Sequence, residues 1–202
     1  MATRELRREP KRQGSMIYII GIGDDGLEGL TKGAVERLAS ATLIVGTQSL
    51  LQKVAHLPAL KEAVGGDPER LALLLDKHQQ GDAVVLASGD PLFYGTARFL
   101  CDRLGKERFT VLPHVSSMQL AFARVKESWD EAYLTNLATQ SVDRVLERIR
   151  TSEKVGIFTS EATSASQLAA HLVDQGLDYF TVYVCENLGS PDERVTRGTP
   201  SE

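Results

Sequence analysis

From Met16 onward, the chain alternates short runs of β-branched and aromatic residues with longer segments whose apolar residues recur at helical spacing. The short runs predict strands at residues 16–23, 42–46, 83–89, 109–113, 132–137, 154–160 and 180–188. The segments between them predict helices at residues 30–40, 49–57, 68–78, 95–105, 117–125, 142–150 and 165–176. Gly105 and Gly176 stand where left-handed caps would end two of these helices. Strands that alternate with helices indicate an α/β fold whose parallel sheet is covered on both faces.

The chain of 202 residues is long enough for two small domains, and we expect the division near Pro113. The prediction is an N-terminal α/β domain at residues 16–113 and a C-terminal α/β domain at residues 114–202. Residues 1–15 carry five basic and two acidic side chains and no apolar stretch, which predicts a disordered basic tail or a cloning remnant. A basic arm that contacts an anionic partner stays open as an alternative.

The composition excludes several classes of protein. Acidic residues outnumber basic ones by 27 to 23, so nucleic acid is not an expected partner. Apolar runs are far shorter than the roughly 20 residues that cross a bilayer, so no membrane partner is expected either. Cys101 and Cys185 stand far apart, which suits a cytoplasmic protein with structural, mostly buried thiols. The four histidines show no metal-ligand spacing, and no metal site is predicted.

A glycine-rich loop follows the first predicted strand. Gly21, Gly23 and Gly26 formally match the G-x-G-x-x-G pattern of dinucleotide-binding loops. Asp24 and Asp25 lie within the loop, however, and two carboxylates would repel a pyrophosphate. An uncharged or cationic adenosine ligand would tolerate these acids, and a plain tight turn explains the pattern about equally well.

The segment at residues 84–100 is the most informative in the chain. Its strand ends at Gly89, Asp90 can cap the turn or accept donors from a ligand, and Pro91 fixes the turn. A capped turn alone would explain these three residues. Two further elements, at residues 111–123 and 186–199, also lie at or after strand ends. Ligand sites of parallel sheets form at the carboxyl ends of the strands, which is where these elements are expected.

The order of four motifs resembles a known family. GIGDDGLEGLT, SGDPLFYG, P-x-V-S-S and ENLGSPDERVTRGT follow one another as in the tetrapyrrole (corrin/porphyrin) methylases, most similarly to the CbiE-type branch of cobalamin biosynthesis. The resemblance covers about residues 16–202. It implies two α/β domains with S-adenosylmethionine (SAM) bound in the cleft between them, and usually a homodimer.

The resemblance also implies which residues contact SAM, whereas the catalytic residues are not identified. Gly23 and Asp24 would line the cleft from the first loop, and Gly89, Asp90 and Phe93 would contact the methionine and ribose parts. The other implied contacts stand at the start of the second domain and at the ends of two later strands: Ser116, Ser117, Phe158, Thr159, Asn187 and Leu188.

By resemblance, the substrate is a polycarboxylate corrin precursor, precorrin-6Y or the cobalt-containing precorrin-7, methylated at C5. A further domain, fused or separate, would methylate C15 and remove a carboxyl group. Arg98, Arg124 and Lys126 are candidates for contacts with the substrate carboxylates, although solvated surface is the commoner role of such residues. Tyr94 and Asp90 are candidates for assisting proton removal, with a purely structural role as the equal alternative.

The sequence departs from the family pattern at two places. His114 stands where the family usually has Gly, and the chain stops at Glu202, before the family's last strand, so we expect a shortened sheet with an unpaired edge. Three other functions stay open. They are a methylase of another tetrapyrrole carbon or of a protein, as in the related diphthine synthases; a nicotinamide-dependent oxidoreductase; and a binding module or inactive fragment.

Overall fold

The computed structural model describes residues 15–78 and 80–202, so all of the predicted tail except Ser15 lies outside the described residues. The strands are β1 (Ile17–Ile22), β2 (Leu43–Gly46), β3 (Leu60–Ala63), β4 (Ala83–Ser88), β5 (Phe109–Leu112), β6 (Tyr133–Asn136), β7 (Val155–Phe158), β8 (Val182–Glu186) and β9 (Arg194–Gly198). The helices are α1 (Lys32–Ser40), α2 (Gln48–Lys53), α3 (Pro68–Lys77), α4 (Ala97–Leu104), α5 (Ser117–Val125), α6 (Val142–Ile149) and α7 (Ala165–Asp174). Every predicted strand and helix is present, with ends shifted by a few residues.

Strands β1 to β5 form one parallel sheet in the order β3-β2-β4-β1-β5. Side chains of β1 alternate between two buried clusters, with Ile17 and Ile19 on one face and Tyr18 and Ile20 on the other. Helices α3 and α4 contribute to the first cluster, and α1 and α2 to the second. Because both faces are covered by helices, these strands are apolar at successive positions, as the sequence predicted.

The strand order brings three loops to one edge of this sheet. Strands β4, β1 and β5 are parallel neighbours, so the loops that follow them meet at their shared carboxyl ends. The chain leaves β1 toward α1 on one face and leaves β4 toward α4 on the other. The edge between β1 and β4 is therefore a topological switch point, where open α/β sheets bind their ligands.

The backbone at this edge approaches too closely for a side chain at Gly21. A Cβ there would lie 1.9 Å from the carbonyl oxygen of Gly89 and 2.7 Å from the amide nitrogen of His114. The same amide donates a hydrogen bond to the Gly89 carbonyl oxygen at 3.3 Å. Gly89 itself has φ 61°, in the left-handed region that favours glycine. Glycines at both positions thus let the three loops pack directly backbone to backbone.

The later strands form two smaller sheets. Strands β6 and β7 pair in parallel, and β8 and β9 pair antiparallel, which departs from the all-parallel pattern we predicted. Helices α6 and α7 pack with β7 around a third buried cluster that includes Val145, Ile149 and Leu172. Pro113 lies in the connection between β5 and α5, and the domain boundary there stays a prediction.

Two strands were not predicted. Strand β3 lies at the edge of the sheet, and its residues Leu60–Ala63 include no β-branched or aromatic side chain. Strand β9 carries two arginines and is largely exposed, so its sequence resembles a polar loop. Both strands depend on pairing with a neighbour rather than on their own composition. Within residues 15–78 and 80–202, none of the helices combines the length and the apolar character that a bilayer crossing requires.

Candidate active site

A cavity of about 2070 Å³ lies beside the carboxyl ends of β4, β1 and β5. Residues of α5, β7, α7 and the β8–β9 hairpin form its other walls. Pockets for small molecules usually occupy about 300–1,000 Å³. This cavity therefore has room for two ligands at once, one of them large.

The structure brings together all of the residues that the resemblance implied for the cofactor. They reach the cavity from the three loops of the large sheet, from the end of β7 and from the turn after β8. The lining includes Gly23, Asp24, Gly89, Asp90, Phe93, Ser116, Ser117, Phe158, Thr159, Asn187 and Leu188.

The first loop does not have the form of a dinucleotide-binding loop. After Gly26 the chain makes a 3-10 turn over Gly26–Gly29, and α1 begins only at Lys32. The N-terminus of α1 is capped by its own Thr31, whose hydroxyl accepts a hydrogen bond from the Ala34 amide. A pyrophosphate at this loop would meet two carboxylates without the helix N-terminus that normally binds it.

The two acids of this loop differ in their partners. The Asp24 carboxylate forms an ion pair with Lys53, whose Nζ lies 2.8 Å from Asp24 Oδ1. The Asp25 carboxylate faces His114, with 3.7 Å between Oδ1 and Nε2, while His114 Nδ1 donates to the Val115 carbonyl oxygen at 3.2 Å. His114, the departure from the family pattern, therefore lines the cavity and links the first loop to the third.

The second loop is shaped by Asp90. Its carboxylate accepts a hydrogen bond from the Leu92 amide at 2.9 Å, and its carbonyl oxygen accepts one from the Phe93 amide at 3.0 Å. Thr96 stands at the N-cap position of α4 without a side-chain capping hydrogen bond, and Asp90 caps the preceding turn and not the helix. Its side chain is held at the cavity wall by this turn.

Tyr94 does not lie among the cavity-lining residues. Its hydroxyl donates a hydrogen bond to the Leu134 carbonyl oxygen at 3.0 Å, and burial, with a smaller contribution from Tyr133, raises the pKa of Tyr94. The rings of Phe93, Tyr94 and Phe158 form a cluster with centroids 4.9 to 6.0 Å apart. These contacts favour the structural role for Tyr94, which ties the second loop to the end of β7.

The third loop ends in a capping box at the start of α5. The Ser116 hydroxyl accepts a hydrogen bond from the Gln119 amide, and the Gln119 side chain accepts one from the Ser116 amide at 2.9 Å. Ser116 is buried, and this reciprocal pair satisfies its polar groups. The spacing Ser-x-x-Gln in the sequence is typical of a capping box at the start of a helix.

The turn after β8 is held by side chains. The Asn187 amide nitrogen donates to Asp192 Oδ2 at 2.7 Å, and the backbone amide of Gly189 donates to Glu193 Oε2 at 2.7 Å. The Arg124 guanidinium, from α5, binds the Glu193 carboxylate through Nε and Nη2. These bonds to Arg124 and then to Gly189 lower the pKa of Glu193, and the bond to Glu193 raises the pKa of Arg124.

Of the cationic candidates, Arg124 alone is among the lining residues, and Glu193 already occupies its guanidinium. Arg98 pairs instead with Asp102, at 3.7 Å on the surface. Three further cations of the described residues line the cavity and were not predicted from the sequence, namely Lys154, Arg194 and Arg197. The two arginines belong to the ENLGSPDERVTRGT motif, so a strand prediction for β9 would have found them.

The two cysteines are partly rather than fully buried. Burial is the main cause that raises the pKa of both Cys101 and Cys185, so the thiols stay uncharged at neutral pH. In the described part of the chain, no three His, Cys, Asp or Glu side chains are grouped as a metal site would require.

Comparison with known proteins identifies the family. The family model of the tetrapyrrole (corrin/porphyrin) methylases matches residues 16–202. The chain belongs to this family. This tetrapyrrole methylase is 31% identical over 189 residues to the precorrin-6Y C(5,15)-methyltransferase (decarboxylating) of Sinorhizobium sp., with 93% of this chain and 46% of that protein covered. The chain thus spans about half the length of that relative.

Two further proteins are informative. The methylase is 27% identical over 180 residues to the cobalt-precorrin-7 C(5)-methyltransferase of Salmonella typhimurium, and the match covers 89% of each chain. A solved uroporphyrin-III C-methyl transferase of Thermus thermophilus, complexed with S-adenyl homocysteine, superimposes with a TM-score of 0.70 at 20% identity. That match covers 93% of this chain and 84% of the other and shows a shared fold. The predicted family and fold class are confirmed.

Proposed function

We propose that this tetrapyrrole methylase binds SAM in the cavity and transfers its methyl group to C5 of a corrin precursor. The acceptor is precorrin-6Y or cobalt-precorrin-7, on the route to cobalamin. The observation that carries this proposal is the meeting of three loops of the large sheet, two of which contain glycine, and the ends of β7 and β8 around one cavity large enough for both molecules. The match along 89% of a C5-methyltransferase supports the position of methylation.

The loops of the large sheet fit a cationic adenosyl donor. SAM carries a sulfonium and an ammonium group, both of which favour nearby carboxylates. The Asp90 carboxylate lies at the cavity wall, and among the described residues no Lys, Arg or His forms an ion pair with it. Asp24 already faces Lys53. Asp90 is therefore the acid best placed to receive the ammonium group.

The reaction needs alignment more than acid or base groups on the protein. When bound, SAM supplies an activated methyl group, whose bond to sulfur breaks as the bond to the ring carbon forms and leaves S-adenosylhomocysteine. The chain holds the loops around Gly23, Gly89 and Ser116 in one fixed arrangement, which fixes the direction of attack. The rings of Phe93 and Phe158 line the same cavity with apolar surface that excludes water.

A polycarboxylate acceptor fits the opposite wall. Lys154, which precedes β7, and Arg194 and Arg197 of the β8–β9 hairpin line the cavity, and Arg194 is already paired with the Glu186 carboxylate. The Arg197 guanidinium lies 5.9 Å from the centroid of the Tyr183 ring, an arrangement that leaves its N–H groups available to a carboxylate. The Arg197 guanidinium is therefore the group of this wall that is best placed to bind an acceptor carboxylate.

The proposed oligomeric state and partner domain rest on the family relationship. We propose a cytoplasmic homodimer that works with a separate or fused domain for methylation at C15 and decarboxylation. The name of the Sinorhizobium relative combines C5 and C15 methylation with decarboxylation, and that protein is about twice as long as this match. Gel filtration with light scattering measures the oligomeric state directly.

Calorimetric titration with S-adenosylhomocysteine tests the cofactor site. We expect the wild-type chain to bind and Asp90→Asn to bind about tenfold more weakly, because one charged hydrogen-bonding partner is lost. Glu36→Gln, on the exposed surface of α1, is the matched control and should bind like the wild type. Binding of NADH but not of S-adenosylhomocysteine would instead indicate an oxidoreductase, and binding of neither would indicate an inactive fragment.

A second assay tests the acceptor. The chain is incubated with SAM and, separately, with precorrin-6Y, cobalt-precorrin-7 or uroporphyrinogen III, and methylated products are detected by mass spectrometry. We expect a product only from a precorrin, with nuclear magnetic resonance placing the new methyl group at C5. Methylation of uroporphyrinogen, or of another carbon, would contradict the proposed substrate.

A further inference from the structure

The turn that follows β8 has an uncommon backbone geometry, closed by a hydrogen bond from the Ser190 amide to the Asn187 carbonyl oxygen at 3.0 Å. Asn187 has φ 51° and Gly189 has φ 88°, so two of three successive residues lie in the left-handed region. Asparagine adopts this region more readily than most other side-chain-bearing residues, and contacts from neighbouring side chains help to enforce it here. Asn187 and Leu188 are also residues of the cavity wall.

Glu193 supplies much of that enforcement. One oxygen of its carboxylate accepts the backbone amide of Gly189, directly after the cavity residues Asn187 and Leu188. Both oxygens are bound by the Arg124 guanidinium. The Glu193 side chain is 21% exposed and the Arg124 side chain 41% exposed, so the pair is partly open to water. The carboxylate is thus shared between a cation and a backbone donor.

Helix α5 connects this contact to the other side of the site. Arg124 lies in the last turn of α5, whose first turn begins with Ser117 and is capped by Ser116. Both serines line the same cavity as Asn187 and Leu188. A displacement of the turn after β8 relative to α5 would therefore change the distance between two parts of one pocket.

We propose that Arg124 and Glu193 are positioning residues, which set the turn at Asn187 and Leu188 against α5 in the geometry that S-adenosylhomocysteine and SAM require. This inference rests on the proposed function and assigns the pair a role in ligand binding beyond folding. Neither side chain needs to touch the ligand, since Glu193 acts through the Gly189 amide and Arg124 acts through Glu193.

The contact of Glu193 with Arg124 and its contact with the Gly189 amide can be separated by substitution. Glu193→Gln removes the charge but keeps an oxygen that can accept the Gly189 amide. The double exchange Arg124→Glu with Glu193→Arg restores an ion pair, but an arginine at position 193 has donors only and leaves the Gly189 amide without its acceptor. A matched exchange, Arg103→Glu with Glu69→Arg, alters another ion pair, whose residues do not line the cavity.

The variants are compared by calorimetric titration with S-adenosylhomocysteine and by urea unfolding. We expect the double exchange at 124 and 193 to weaken binding about tenfold and Glu193→Gln to weaken it about threefold or less. We also expect the double exchange to be more stable to urea than Arg124→Glu alone. The exchange at 103 and 69 should bind like the wild type.

A role in folding alone predicts the opposite order, in which the double exchange recovers both stability and binding. That result, or equal affinity for all variants, would overturn the proposal while leaving the cofactor site itself intact. Failure of the wild-type chain to bind S-adenosylhomocysteine would overturn the proposed function as well, so the two failures are distinguishable.

Discussion

The two walls of the cavity are held by different forces. On one side, the loops extend from a sheet in which all six residues of β1 are buried, and backbone hydrogen bonds between the loops complete the arrangement. On the other side, β8 and β9 are only partly buried, and the turn between them is fixed by ion pairs and side-chain hydrogen bonds. The first wall thus rests mainly on buried apolar packing and backbone hydrogen bonds, whereas the second rests more on charged side chains, whose interactions depend on pH and salt.

The largest expected effect tests the difference in burial. Ile20 in β1 is fully buried, whereas Ile157 in β7 is only partly so. We expect Ile20→Ala to lower the free energy of unfolding by about 4 kcal/mol and Ile157→Ala by about 2 kcal/mol. Urea unfolding followed by circular dichroism measures both. Equal losses would show that the two sheets are packed alike.

A smaller effect separates stability from binding. Ser116 is the N-cap of α5, and Thr31, which does not line the cavity, is the N-cap of α1; each side chain accepts a hydrogen bond from a backbone amide of its helix. We expect Ser116→Ala and Thr31→Ala each to lower stability by about 1 kcal/mol. Titration with S-adenosylhomocysteine should then show weaker binding for Ser116→Ala alone. Equal affinity of the two variants would remove the third loop from the proposed cofactor pocket.

The smallest expected effect is on the stability of the chain at acidic pH. The pKa of Glu193 is lowered in the folded chain, so its contribution to stability is present above the pKa of an unfolded glutamate, roughly 4.3, and is lost as the pH falls through the lowered value. Glu193→Gln removes this contribution. The variant should lose less stability than the wild type between about pH 4.5 and pH 3, as measured by thermal unfolding at a series of pH values. Parallel curves would show that Glu193 contributes nothing to the second wall.

The difference between the two walls also explains which parts of the fold and of the site could be predicted from the sequence. Strands β1 and β4 could be predicted because both of their faces are buried, so that apolar residues occupy successive positions in the sequence. The loop residues Gly23, Gly89 and Ser116 were assigned from the resemblance to the methylase family, because local chemistry alone was explained about equally well by plain capped turns. Their contacts with the cofactor stay a prediction.

The second wall was less predictable because its contacts join distant segments. Nothing in the local sequence pairs Arg124 with Glu193, 69 residues away. Strand β9 was hidden by its exposed arginines, and with it the cations Arg194 and Arg197. Such pairs form only once the fold has brought their elements together, so composition and spacing do not reveal them.

The close approach at Gly21 has a consequence for engineering. Gly21 packs directly behind the cavity residues Gly89 and His114, and a Cβ at Gly21 would lie 1.9 Å from the Gly89 carbonyl oxygen. A mutant library that randomises Gly21 and Gly89 would yield mostly insoluble clones. Libraries that seek a new acceptor molecule should leave the glycines unchanged and vary the hairpin at positions such as Tyr183 and Arg197.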